Sequence, residues 1–79
     1  MARKKNEMKA KEPVKLRFKK LSNANQSIYL DIYYKGKRYY EFLKLYLTPE
    51  RFPEDRDKNR ITLRLANSIK AQRIIDLQN

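Results

Sequence analysis

The sequence has no cysteine and no histidine, and only one of its 79 residues is glycine. Without cysteine, neither disulfide bonds nor thiolate metal sites can form. Without histidine, acid–base catalysis near neutral pH would depend on carboxylates or lysines with strongly shifted pKa values. A domain of this length buries only about 60% of its unfolded surface, which leaves little core around a deep catalytic cleft. We therefore expect no enzymatic activity and no cofactor in this chain.

Long apolar runs are also missing. No segment approaches the roughly 18–20 apolar residues that a membrane-spanning helix requires. The N-terminal segment is basic but lacks the apolar stretch of a signal peptide. These features predict a cytoplasmic protein whose partner is neither a membrane nor a small-molecule substrate.

Positive charge is abundant and unevenly distributed. Twenty lysines and arginines face nine acidic residues, which gives a formal net charge of +11. The first 44 residues hold 13 of the basic residues and only 4 of the acidic ones. Such a surplus bears on the choice of partner rather than on the fold, and it favours a polyanion such as nucleic acid.

The first twelve residues hold seven charges and no β-branched or aromatic side chain. A segment of this kind buries too little surface to offset its ordering entropy. We therefore predict a flexible, disordered basic arm over residues 1–12 and one folded domain over residues 13–79. Whether the arm contacts a partner stays open.

A period of two begins at Val14, where apolar residues alternate with cations up to Lys19. Because successive strand side chains point to opposite faces, this pattern indicates a strand with one apolar and one basic face. Similar alternation predicts strands at about 14–20, 27–34 and 37–45. Gly36 supplies the positive φ of a tight hairpin between the last two strands. A two-residue turn there would set Tyr34 opposite Lys37 and Ile28 opposite Leu43.

The remaining segment favours a helix over about 57–77, preceded by proline breaks and an acidic cluster suited to a first helical turn. An apolar stripe is predicted at Ile61, Leu65 and Ile69, which recur every four residues. Further apolar residues lie outside this stripe, namely Leu63, Ile74 and Leu77. They are either ordinary surface hydrophobicity or a sign that the helix continues into a further domain, which the lack of a closing glycine or proline favours. The predicted fold class is α+β, a three-stranded antiparallel sheet packed against one C-terminal helix.

Two groups of cations are candidate phosphate contacts. A ladder along the first strand comprises Lys15, Arg17 and Lys19, followed by Lys20, and the hairpin tip carries Lys35, Lys37 and Arg38. No acidic residue lies between Val14 and Tyr29, and the solvation of a polar sheet face alone does not explain this absence. For most tyrosines, packing within the sheet is the favoured role. The carboxylates near the helix start are explained by capping, and no metal-ligand spacing is present.

The segments SIYLDIYYKGKRYYEFL and KNRITLRLANSIKAQRIIDLQN carry a family resemblance. Residues 14–79 resemble the N-terminal arm-type DNA-binding domain of tyrosine-recombinase integrases from bacterial mobile elements. The resemblance implies that the sheet lies in the DNA major groove, and that further recombinase domains, including the catalytic one, follow on the same parent chain. It also implies a DNA-facing surface formed by Arg17, Lys19, Tyr33, Arg38 and Tyr40.

The leading hypothesis is sequence-specific binding of double-stranded DNA at arm-type sites, in the cytoplasm and in association with the nucleoid. A sheet that carries aromatic and basic side chains also suits unstacked RNA bases, so an RNA-binding module is one alternative. The other alternative is a protein-interaction domain that uses its helix as the contact surface and its charge for solubility.

Overall fold

The computed structural model of the chain describes residues 12–78. The predicted arm lies outside these residues except for Glu12. Three strands, β1 (Val14–Lys20), β2 (Gln26–Tyr34) and β3 (Lys37–Leu47), precede one helix, α1 (Pro53–Gln78). The strands form an antiparallel sheet in the order β1-β2-β3. The predicted α+β class is thereby confirmed. No helix in this part of the chain is long and apolar enough to cross a membrane.

The hairpin between β2 and β3 has the predicted two-residue turn. Tyr34 lies opposite Lys37, and the turn residues Lys35 and Gly36 have φ values of 52° and 78°. Positive φ at both central residues is what a type I′ turn requires, and its twist matches that of the flanking strands. From Tyr34 to Tyr29 the predicted register holds, and it sets the two faces of the hairpin.

Beyond Tyr29 the predicted register is wrong. Tyr29 pairs with Phe42, but Ile28 pairs with Leu45 rather than Leu43, so β3 contains a bulge of two additional residues. Lys44 within the bulge has a φ of 59°, a left-handed backbone conformation that costs free energy for any residue with a Cβ atom. Because two residues are inserted, the alternation of faces is preserved. The bulge thus shifts the pairing without moving the remaining side chains to the other face.

Helix α1 begins at Pro53, four residues before the predicted start. Proline is favoured at the first helical position because its missing N–H would have no partner there. The carboxylate of Asp55 accepts hydrogen bonds from the backbone N–H groups of Arg51 (3.0 Å) and Phe52 (3.1 Å). The Phe52-Pro53 pair that ends the strand pattern therefore also starts the helix.

The packing face of α1 differs from the predicted stripe. Ala66 is fully buried, and Ile69, Ile74 and Leu77 pack against the core. By contrast, Ile61 and Leu65 are 63% and 50% exposed. The prediction followed a four-residue repeat, which drifts around a helix of 3.6 residues per turn. The helix instead approaches the sheet through the small Ala66 and its neighbours three and four positions away. The residues that the sequence left as surplus, Ile74 and Leu77, are thus part of the core contact.

The core lies between α1 and one face of the sheet. Its fully buried large side chains are Val14, Ile28 and Leu30. Two polar contacts fix the helix at its ends. Near the start, the buried Asn59 donates to Thr48 O (2.8 Å) and accepts from Thr48 N (3.0 Å). Near the end, Arg73 forms two hydrogen bonds, of 2.8 and 2.7 Å, with the two carboxylate oxygens of Glu41 on β3.

Candidate nucleic-acid interface

The sheet has a second face that α1 does not cover, which we call the open face. Alternation along the three strands assigns to it Lys15, Arg17, Lys19, Ser27, Tyr29, Asp31, Tyr33, Arg38, Tyr40, Phe42 and Tyr46. Tyr33, Tyr40, Phe42 and Tyr46 each expose about half of their surface. An antiparallel sheet commonly has one solvated face, but aromatic side chains exposed to this degree in a group are unusual for such a surface.

Charge on the open face is almost entirely positive. Four cations, Lys15, Arg17, Lys19 and Arg38, are exposed there. Among the described strand residues, Asp31 is the one carboxylate on this face, because Glu41 lies on the helix side with Arg73. The open face thus combines a cluster of cations with a single acid at its centre.

Asp31 lies in the middle of the central strand, with Lys15 and Tyr40 as its direct cross-strand neighbours. Its side chain is only 7% exposed, whereas Arg17 and Arg38 beside it are 46% and 56% exposed. Nε of Arg17 donates to Oδ2 at 2.7 Å. Nε of Arg38 is 3.4 Å from Oδ1, which makes an ion pair but not a hydrogen bond. One carboxylate therefore holds an arginine from each outer strand.

Further contacts order the rest of this face. The guanidinium carbon of Arg38 lies 5.6 Å from the centre of the Tyr33 ring, within range of a cation–π interaction. Tyr29 stacks on Phe42 with ring centres 4.8 Å apart and meets Tyr40 edge-on at 5.9 Å. The open face therefore has a charged zone around Asp31 and an aromatic zone around Tyr29.

The structure brings most of the predicted DNA contacts together. Six of them share the open face, namely Lys15, Arg17, Lys19, Tyr33, Arg38 and Tyr40. The other three lie elsewhere, all exposed. Lys20 and Lys37 lie at the ends of their strands, at positions that alternation assigns to the other face of the sheet. Lys35 lies in the turn, with its Nζ 5.3 Å from the centre of the Tyr34 ring. For all nine residues, the role as a DNA contact stays a prediction.

Sequence reasoning assigned no role in the interface to Asp31, Tyr29 or Phe42. Alternation within each strand is compatible with all three on this face, yet their cross-strand contacts depend on the register and on side-chain conformations that alternation does not determine. One signal was present in the sequence. Asp31 is the first acid after a long stretch of cations, and it falls at the centre of a predicted strand.

No feature of the described residues indicates a reaction centre. Hydrogen bonds from Arg73 lower the pKa of Glu41, and the same contact raises the pKa of Arg73. This pair joins the helix to the sheet on the covered side. Among residues 12–78, no group of three or more potential ligands is placed to hold a metal ion. The arrangement of the open face is that of a binding surface.

A comparison with known families agrees with this geometry. A family model described as "Arm DNA-binding domain" matches residues 14–79. The chain belongs to this family. The arm DNA-binding domain is a non-catalytic part of tyrosine-recombinase integrases, and its partner is DNA. The resemblance noted in the sequence is confirmed. No curated protein and no solved structure matches the chain significantly.

Family membership identifies DNA as the partner of this domain, but it does not say which surface of the domain contacts the DNA. Within residues 12–78, the open face and the outer side of α1 are two exposed candidates for this surface. The outer side of α1 carries Ile61 and Leu65 among charges of both signs, whereas the open face carries four cations and one acid. Electrostatic complementarity with a phosphate backbone thus favours the open face.

Proposed function

We propose that this arm DNA-binding domain binds double-stranded DNA in a sequence-specific manner at arm-type sites. It does so as the N-terminal domain of a tyrosine recombinase of a bacterial mobile element. The observation that carries the proposal is the open face, where four cations share the surface with a single acid that forms ion pairs with two arginines. The catalytic and other recombinase domains follow on the same parent chain, and the protein acts on DNA of the nucleoid in the cytoplasm.

The dimensions of the sheet support binding in the major groove. Neighbouring strands lie about 4.8 Å apart, so three strands span about 10 Å between the outer backbones. The major groove of B-form DNA is about 12 Å wide and presents a distinct pattern of donors and acceptors for each base pair. With the open face towards the bases, the side chains of β2 point into the groove, and those of β1 and β3 flank them.

Different residues have different tasks in this proposal. Lysines at the rim, Lys15 and Lys19, neutralise phosphates and contribute affinity on any sequence. The hairpin tip extends this contact through Lys35 and Lys37. Arginines near the centre, Arg17 and Arg38, have the forked geometry that recognises a guanine edge. Accordingly, Lys15→Ala weakens binding to all duplexes alike, whereas Arg38→Ala changes the sequence preference.

The test is a competition experiment with a salt titration. Labelled duplex DNA is bound and then competed with unlabelled duplex DNA, duplex RNA and single strands. Duplex DNA should compete best, and five to seven neutralised phosphates should give a log–log salt slope of about −4.5 to −6. A slope near zero would contradict the proposal, as would stronger competition by duplex RNA or by single strands.

A further inference from the structure

Asp31 poses a physical problem that the proposed function does not solve. A carboxylate weakens the attraction between this face and phosphates. Its burial is also costly, because an ion pair removed from water regains its desolvation cost only with good geometry and several partners. Stability alone is therefore a weak reason for a carboxylate at this position. The cluster of Asp31, Arg17 and Arg38 requires a different explanation.

The contacts of Asp31 provide one. Both arginines approach it through Nε, Arg17 at 2.7 Å and Arg38 at 3.4 Å. Among the described residues, the one hydrogen bond to Asp31 from these two arginines is donated by Nε of Arg17, and no hydrogen bond engages the Nη atoms of either arginine. An arginine held at Nε keeps both Nη groups in a fixed plane and available to donate. That pair of donors is what the O6 and N7 acceptors of guanine accept in the major groove.

The surroundings of the carboxylate support this function. A cleft of about 260 Å³ opens over Asp31, and it is lined by Glu12, Lys15, Arg17, Tyr33 and Arg38. Glu12 lies at its border and pairs with Lys70 of α1 at 3.6 Å. The guanidinium of Arg38 lies over the ring of Tyr33, 5.6 Å from its centre. Oδ1 of Asp31 is buried without a hydrogen bond, so it has capacity to draw Arg38 closer.

We infer that Asp31 is a positioning residue that orients Arg17 and Arg38 so that each presents its Nη pair to a guanine of the DNA site. Asp31 touches no base in this arrangement, and its contribution is preorganisation. Two long side chains are ordered before binding, so less entropy is lost when they meet the base edges. Asp31 also cancels part of the local positive charge, which limits binding to unrelated sequences. The inference rests on the proposed function, because it explains how the proposed DNA binding becomes sequence-specific.

The first experiment compares two variants that change the charge equally. Asp31→Asn removes the central carboxylate at constant volume. Asp57→Asn, the control, removes an exposed carboxylate of α1 that pairs with Arg60 at 3.0 Å. Each raises the formal net charge by one. The unchanged protein first selects its preferred duplexes from a random pool, and the preferred guanines are then replaced one by one with 7-deazaguanine, which lacks the N7 acceptor.

The unchanged protein and Asp57→Asn should each lose about 5- to 100-fold in affinity per replaced guanine, as expected for a bidentate contact. Asp31→Asn should lose most of this sensitivity and bind random duplexes more tightly than the unchanged protein does. If Asp31→Asn discriminates as well as Asp57→Asn does, the inference is wrong. It is equally wrong if the unchanged protein selects sites without guanine.

A second pair of variants keeps the test independent of how Asp31→Asn folds. Arg17→Lys and Arg38→Lys preserve the charge but lack the fork. Each should abolish discrimination at one guanine, whereas Asp57→Asn should keep it at every guanine. In the Arg38→Lys background, Asp31→Asn should reduce guanine discrimination by less than it does in the unchanged protein, because the effects of substitutions at contacting residues are not additive. Retained discrimination in both lysine variants would overturn the inference, whereas a protein that binds no duplex at all would overturn the proposed function instead.

Discussion

Asn59 is the buried polar residue on which the connection between β3 and α1 depends. Its side-chain amide forms a pair of hydrogen bonds with the backbone of Thr48, and Nδ2 also donates to Glu50 Oε2 at 3.2 Å. The amide thus pairs with the backbone N–H and C=O groups of Thr48 in the way that a neighbouring strand would. Asn59→Ala removes all three hydrogen bonds and leaves the N–H and C=O groups of Thr48 without these partners.

The expected cost follows from these contacts. A hydrogen bond contributes about 0.5–1.5 kcal/mol net, and a buried group left without a partner costs about 1–3 kcal/mol. Because water can reach part of this connection, we expect Asn59→Ala to lower the free energy of unfolding by about 2–4 kcal/mol. A domain of this size has about 4–12 kcal/mol in total, so the loss is a large share of its stability. The corresponding fall in Tm is about 10–25 °C.

Urea unfolding followed by circular dichroism measures this cost. The matched control is Asn67→Ala, because Asn67 is an exposed asparagine of the same helix whose Nδ2 donates only within the helix, to Leu63 O at 3.0 Å. The control should change the free energy of unfolding by less than about 0.5 kcal/mol. If the two variants are equally stable, the amide does not hold the connection and the reasoning is refuted.

Three further predictions concern stability. Gly36→Ala should cost about 1 kcal/mol in urea unfolding through its positive φ alone, because an added Cβ meets nothing within 4 Å. Conversely, Ala24→Gly should stabilise the protein by up to about 1 kcal/mol, since Ala24 has a φ of 73° in the turn before β2, and a loss of stability would contradict this. Glu41→Gln should cost about 0.5–1 kcal/mol at pH 7, because the pair with Arg73 is partly exposed. As folding lowers the pKa of Glu41, this advantage is present above its ordinary value of 4.5 and is lost as the pH falls below it, so unfolding curves of the two proteins should converge in acid.

The sheet was predictable because its signals are local. Alternation of apolar and basic residues determines which side chains share a face, and Gly36 determines the turn. The bulge at Leu43 and Lys44 was not predictable, since neither residue is typical of a left-handed conformation and no local signal requires the insertion. The faces survived this error because two residues rather than one were inserted.

The helix and the interface show where sequence reasoning stops. The four-residue repeat favoured Ile61 and Leu65 as part of the packing stripe, but the distance at which a helix packs on a sheet depends on small residues such as Ala66. On the open face, the cations followed from alternation. The function of Asp31 did not, because its burial results from arginines on two other strands that reach it diagonally.

The central claim is that the open face, rather than the helix, contacts DNA, and paired charge removals test it most directly. Lys15→Gln with Lys19→Gln removes two cations from the open face, and Lys58→Gln with Arg64→Gln removes two exposed cations from α1. Both double variants lower the formal net charge from +11 to +9. If the open face is the interface, the first pair should reduce the magnitude of the log–log salt slope by about 1.8 and the second should leave it unchanged. Equal slopes for the two pairs, or a reduction only for the helix pair, would contradict the account.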